Sequence, residues 1–209
     1  MLKSAPRPML DSGHSRQSSL RASIVEHLFV GELMALLWSR GIREIELLRV
    51  EVDCAGYDLV IECEGIERHV QLKSRRGEAK ARKVDVHTAL CRKPSGCVLW
   101  ITFDEKERKI GPYLWFGGLP GRPIPELGDR VARHTRGPKS ERKAIRVVKR
   151  SDFEKLATIE EVAEKLFGLR PPKGVRAPPS RPSGSSPDQG SRAAAAAVGP
   201  AAFARFHNT

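Results

Sequence analysis

The sequence predicts an α/β fold, and three observations carry that expectation. An amphipathic helical stretch comes first, a series of short strand-like runs follows it, and a second capped helix closes the patterned region. With 40% hydrophobic residues, 209 positions are enough to build one core of ordinary size. No repeat at a fixed period interrupts that order.

Residues 21 to 40 have helical periodicity. Ile24, Leu28 and Leu36, with Val25, Phe29, Leu33 and Leu37, recur at spacings of three and four, and Gly41 stands where a helix stops. Ile45, Leu47 and Val50 lead into a strand. YDLVIEC (57 to 63) and RHVQLKS (68 to 74) then alternate about Glu64-Gly65 and predict a β-hairpin. A basic, weakly patterned stretch follows, in which Val84 and Val86 alternate and Thr88 could cap a short helix ending before Pro94.

CVLWITF (97 to 103) is nearly continuous in apolar residues and reads as a central strand covered on both faces. PYLWFGG supplies another strand and AIRVV (144 to 148) a last one. Thr158 and Glu161 form a capping box ahead of Ile159, Val162, Ala163 and Leu166, so a terminal helix should stop at Gly168.

The expected domain is 21–168. Residues 1–20 read as a disordered N-terminal segment. Residues 169–209, in which Pro, Gly, Ser and Ala fill 25 of 41 positions, read as a disordered basic tail. Net charge is +12, from 37 Lys+Arg against 25 Asp+Glu; the two flanks hold +5 and +2 of it and leave +5 on the domain. Within the domain, basic residues concentrate at 73–93 and again at 130–150, which points to a polyanionic partner.

Cys54, Cys63, Cys91 and Cys97 form no CxxC pair and have no zinc-finger spacing, so all four are expected as reduced, buried thiols. No apolar run reaches the roughly 18 residues that span a bilayer, and the start lacks a signal-peptide core. The expectation is a soluble, cytoplasmic protein with no membrane partner.

Several polar residues interrupt this pattern. Glu32 lies four residues from both Leu28 and Leu36, which would put a carboxylate inside the buried stripe. On the hairpin, alternation puts Asp58, Val60 and Glu62 on one face of the first strand, and His69, Gln71 and Lys73 on one face of the second. A two-residue turn sets Asp58 across from Gln71, whereas a four-residue loop sets it across from Lys73. Either register gathers a carboxylate, an amide and an ammonium into one patch. Tyr57, Leu59, Ile61, Val70 and Leu72 form the opposite, core-facing side. His69 reads as a polar surface residue, and Trp38, Trp100 and Trp115 as core.

GYDLVIE and HVQLKSR, with Glu32 on the preceding helix and the basic stretch downstream, resemble the PD-(D/E)xK nuclease superfamily over roughly residues 21 to 105. That resemblance implies a restriction-endonuclease-like core of a helix, a three-stranded β-meander, a helix and a strand, here with additional C-terminal strands and a helix. It implies a catalytic set of Asp58, Gln71, Lys73 and Glu32. Asp58, Gln71 and Glu32 would hold Mg²⁺ or Mn²⁺, with Gln71 standing where the family carries an acid and Tyr57 where its motif has Pro. An amide oxygen coordinates Mg²⁺ without bringing charge.

The function implied is metal-dependent hydrolysis of DNA. Arg75, Arg76, Lys80, Arg82 and Lys83 would follow the phosphate backbone with little base specificity, and a dimer is compatible with the pattern. The alternatives are a catalytically inactive nucleic-acid-binding domain that keeps the fold, and an unrelated α/β protein with a polar hairpin.

Overall fold

The first helix buries one row of side chains and not two. In the computed structural model, which describes residues 11–50, 55–77, 81–134 and 140–169, α1 runs Asp11–Ser39. Val25, Phe29, Val30, Leu33 and Leu37 are buried, while Leu28 and Leu36 are half-buried and Ile24 is exposed. The helix starts at Asp11, inside the segment expected to be disordered. Once its buried turns are fixed, each further residue adds a hydrogen bond at little entropic cost. Gly41, at φ 81°, ends it.

The strands are β1 (Ile45–Arg49), β2 (Leu59–Cys63), β3 (Ile66–Arg76), β4 (Lys83–His87), β5 (Gly96–Asp104), β6 (Lys109–Gly117), β7 (Val131–Arg133), β8 (Glu141–Lys149) and β9 (Glu154–Leu156); α2 spans Ile159–Phe167. One sheet has the order β1-β2-β3-β5-β6-β9, and a second has the order β4-β8-β7. Among the described residues only β3 and β5 pair in parallel; the other pairs are antiparallel.

The crossover from β3 to β5 was expected to contain a helix. Among the described residues it contains β4 and a 3₁₀ turn, Thr88–Arg92, capped by His87 and not by Thr88: the His87 Nδ1 accepts from Ala89 N–H at 3.0 Å. The strand 144–148 is not the last, since β9 follows it, and it belongs to the second sheet.

Two cores lie on opposite faces of the larger sheet. On one face α1 and α2 cover Leu59, Ile61, Val70, Leu99, Ile101, Tyr113 and Trp115. On the other, Val98, Trp100, Leu114 and Phe116 meet Val86, Leu90, Val148 and Phe153, with Tyr57 at the margin. Tyr57 therefore packs on the side opposite Leu59, contrary to expectation: it precedes β2 and turns its ring onto His69, with centroids 4.7 Å apart. β5 serves both cores, which is why its sequence is apolar without alternation.

Cys63 and Cys97 are buried as expected, Cys91 is exposed, and Cys54 lies outside the described residues. Trp100 and Trp115 are core, but Trp38 is exposed, with Arg43 stacked 3.6 Å from its ring centroid. No helix among the described residues is long and apolar enough to cross a membrane. Apart from 11–20 and Leu169, the flanks expected to be disordered fall outside the described residues.

Candidate active site on one sheet face

The hairpin turn takes its two-residue form. Glu64 and Gly65 adopt φ 49° and 76°, and Cys63 pairs with Ile66, so Leu59 lies opposite Val70. One residue further out, Asp58 N–H donates to the Val70 carbonyl at 2.9 Å, so the register slips there and Asp58 and Leu59 both oppose Val70, as in a β-bulge; Asp58 does not stand directly across from Gln71 as the two-residue turn predicted. The ladder ends there, and the Asp58 carboxylate accepts from the next inward amide, Leu72 N–H, at 2.6 Å. Gly56 fixes the approach to this residue. It is buried at φ 76°, and a Cβ there would stand 2.8 Å from the His87 Cβ, so only glycine lets the segment lie against β4.

Gln71 and Lys73 pair with Val98 and Trp100 in the parallel ladder and share their face. Gln71 is 6% exposed, and its Oε1 is buried with no hydrogen-bond partner. A buried amide oxygen left unpaired is uncommon and costs about 1–3 kcal/mol, which marks the position as one awaiting a donor or a cation. Lys73 stands two residues along on the same face, and the Asp58 carboxylate reaches this part of β3 at Leu72 N–H, so an unsatisfied carbonyl oxygen, an ammonium and a carboxylate come to neighbouring positions along the strand. These oxygens suit a hard divalent cation that keeps several waters. No group of three or more His, Cys, Asp or Glu able to hold a metal occurs among the described residues, so such a site relies on the amide.

Glu32 does not join this patch. It sits on the flank of α1's buried row and is exposed, and its Oε2 accepts from the Tyr113 hydroxyl at 3.1 Å. Tyr113 lies on the helix-covered face, and its strand, β6, is two strands from β3, so the carboxylate is on the wrong side of the sheet to meet Gln71. Placing Leu28 and Leu36 at the centre of the stripe caused the misreading; the true centre is one residue later. Burial, then the Glu32 carboxylate, push the Tyr113 hydroxyl well above its ordinary value.

His69 is buried, not a surface residue. Desolvation holds its imidazole below the usual value, with Glu67 opposing and Lys93 adding to the shift. It packs against Tyr57, over whose ring Lys93 sits at 5.0 Å.

The expected phosphate-binding residues divide. Arg75 stays on the face of Gln71, donating from Nε to Thr102 Oγ1 at 3.0 Å, and burial followed by the charge of Arg150 lowers its pKa. Arg76 points the other way and pairs with Glu105 at 2.8 Å, a carboxylate that Arg21 of α1 also reaches at 3.4 Å. Lys80 lies outside the described residues. Arg82 and Lys83 line a cavity of about 610 Å³ together with Arg130, Lys149, Arg150, Ser151 and Lys155. Sequence inspection passed over four of these cations; the basic run at 130–150 signalled three, and Lys155 had no signal.

No family model matches the chain, and no curated protein does. Among solved structures it is similar to a bacterial homing endonuclease, I-Ssp6803I, at 21% identity and a TM-score of 0.30, over 50% of this chain and 65% of that one. The chain thus spans just under two thirds of that protein's length. A likeness at this level gives no residue a role.

Proposed function

We propose that the chain is a metal-dependent phosphodiesterase acting on DNA, with its site on the Gln71 face of β3. The observation that carries this reading is the buried, unpartnered Gln71 Oε1, with Lys73 on the same face and the Asp58 carboxylate held at the neighbouring Leu72 N–H. Asp58 and Gln71 would hold Mg²⁺ or Mn²⁺. Such an ion supplies an acidified water and polarises a phosphoryl oxygen.

The chain's own groups do the positioning. Leu72 N–H fixes one oxygen of the Asp58 carboxylate, as an outer hydrogen bond orients a ligand. The Lys73 ammonium orients the attacking water and offsets the negative charge that develops on the phosphate. Glu32 stands apart from this set because it lies on the helix-covered side.

Purified protein with supercoiled plasmid and Mg²⁺ or Mn²⁺ tests the reading. Lys73→Ala and Asp58→Ala should each lower the cleavage rate by about 100-fold or more; Glu32→Gln should cleave like wild type. Equal cleavage by wild type and Lys73→Ala would remove the assigned site.

That no group of three or more His, Cys, Asp or Glu able to hold a metal gathers among the described residues favours a second reading, a domain that binds nucleic acid without cutting it. Salt-dependent DNA binding with no heat of Mn²⁺ binding in calorimetry would select that one.

A further inference from the structure

We infer that the groove lined by Arg82, Lys83, Arg130, Lys149, Arg150 and Lys155 is a second phosphate-binding site, one that takes the sugar-phosphate backbone of a DNA strand leaving the Gln71 face. It rests on the reading above for its polymer, but not for its test.

Four separate pieces of backbone build the groove. Lys83 and Lys149 are directly opposed partners between β4 and β8. Arg150 N–H donates to the Arg82 carbonyl at 2.8 Å, and Val147 N–H donates to the Arg130 carbonyl at 2.8 Å. Lys155, on β9, is the partner of Leu114 and so shares its face of the larger sheet. The groove is the seam between the edge of one sheet and the end of the other.

Among the described residues six cations line it and no carboxylate does. The ion pairs among the described residues all lie elsewhere. Asp152, next in sequence, spends its carboxylate on Lys149 N–H at 3.2 Å and the Ser151 hydroxyl at 3.0 Å. Like charges placed directly opposite on a ladder are destabilising, so an unrelieved set of this kind calls for a polyanion.

Position selects the polymer over a small anion. The cations are mostly exposed and are spread along a seam, whereas a compact anion would want its donors converging on one point. The groove also continues the candidate site: Lys73, Trp100, Leu114 and Lys155 stand in one cross-strand row on the same face of the larger sheet, which puts Lys155 about 14 Å from Lys73, three strand spacings across. A backbone held at Lys73 and Arg75 therefore runs into the groove.

The test is binding of the full chain to a labelled duplex of about 20 base pairs, without divalent metal, across a series of salt concentrations. The triple variant Arg130→Ala/Lys149→Ala/Lys155→Ala should bind about 10-fold more weakly and should flatten the slope of log K against log salt by about 2 to 3. Lys106→Ala/Arg108→Ala/Lys109→Ala, an equal charge change at the β5–β6 turn, should bind like wild type. Equal losses in the two variants would reduce the effect to net charge and overturn the groove as a site, as would no loss in the first. Inorganic tripolyphosphate displacing the duplex at matched phosphate concentration would assign the groove to small polyphosphates instead. Since no metal is present, failure of cleavage leaves this comparison untouched: a silent nuclease site with a weakened groove variant rejects the former reading and keeps the latter.

Discussion

Arg68 and Gln71 are neighbours on β3 that carry the same kind of defect on opposite faces of the sheet, and the two invite different explanations. Arg68 is fully buried against Trp115, its Nη2 donates to the Gly118 carbonyl at 2.9 Å, and its Nε and Nη1 have no hydrogen-bond partner among the described residues. Desolvation lowers its pKa, while the nearby Cys97, whose own thiol burial pushes up to about 12, opposes that shift. No carboxylate pairs with it among the described ion pairs, and it lines neither basic groove nor candidate site. A buried charge satisfied this poorly opposes folding, so Arg68→Met should raise the unfolding free energy by about 1 kcal/mol in urea titration. A loss of that size would show that the guanidinium is better satisfied than its contacts indicate. Gln71, by contrast, is neutral and sits next to Leu72, whose N–H holds the Asp58 carboxylate, so its missing partner is the one a cation supplies.

At the scale of elements, the hairpin face is graded in charge. Glu46 of β1, Glu62 of β2 and Glu67 of β3 stand in direct cross-strand register near the turn, while Lys73 and Arg75 occupy the far end of β3. Adjacent like charges cost about 0.2–1 kcal/mol per pair. Glu62→Gln removes both repulsions at once and should stabilise by twice that, about 0.4–2 kcal/mol, the gain shrinking at high salt as exposed charges are screened. An unchanged urea midpoint at low salt would contradict the repulsion.

The same hairpin shows what the sequence made legible. Its register, its I′-type turn, the α2 cap at Thr158 and the Gly41 and Gly168 stops all follow from residues a few positions apart, where local chemistry decides. That Gln71 and Lys73 share one face of β3 was legible for that reason, whereas the slip that moves Asp58 off Gln71 had no sign in the sequence. The second sheet was not, because β4 finds β8 across a long intervening chain, and weak local patterning at 83–87 carried no sign of its partner. Glu32 failed for a subtler reason: two parallel rows on α1 both had helical spacing, and only packing chose between them.

Across the whole molecule, one sheet separates two cores, and everything proposed to touch DNA is on the side built without helices. Phe29 fills the helix-covered core and Trp100 the other, both essentially without exposure. Either truncation to Ala should destabilise by about 3–5 kcal/mol through lost transfer energy and the cavity left behind. Their functional consequences should differ. Trp100 pairs with Lys73 in the β3–β5 ladder and packs in edge contact with Phe153, which connects the 3₁₀ turn at Arg150 to β9. Removing its indole loosens the layer that holds both the candidate site and the groove. Phe29 touches neither. At a temperature where both variants remain folded by circular dichroism, Trp100→Ala should therefore weaken duplex binding and cleavage while Phe29→Ala leaves both at the wild-type level. Matched losses in the two variants would mean that the sheet transmits disorder from one face to the other, and that the division of labour between its faces does not hold.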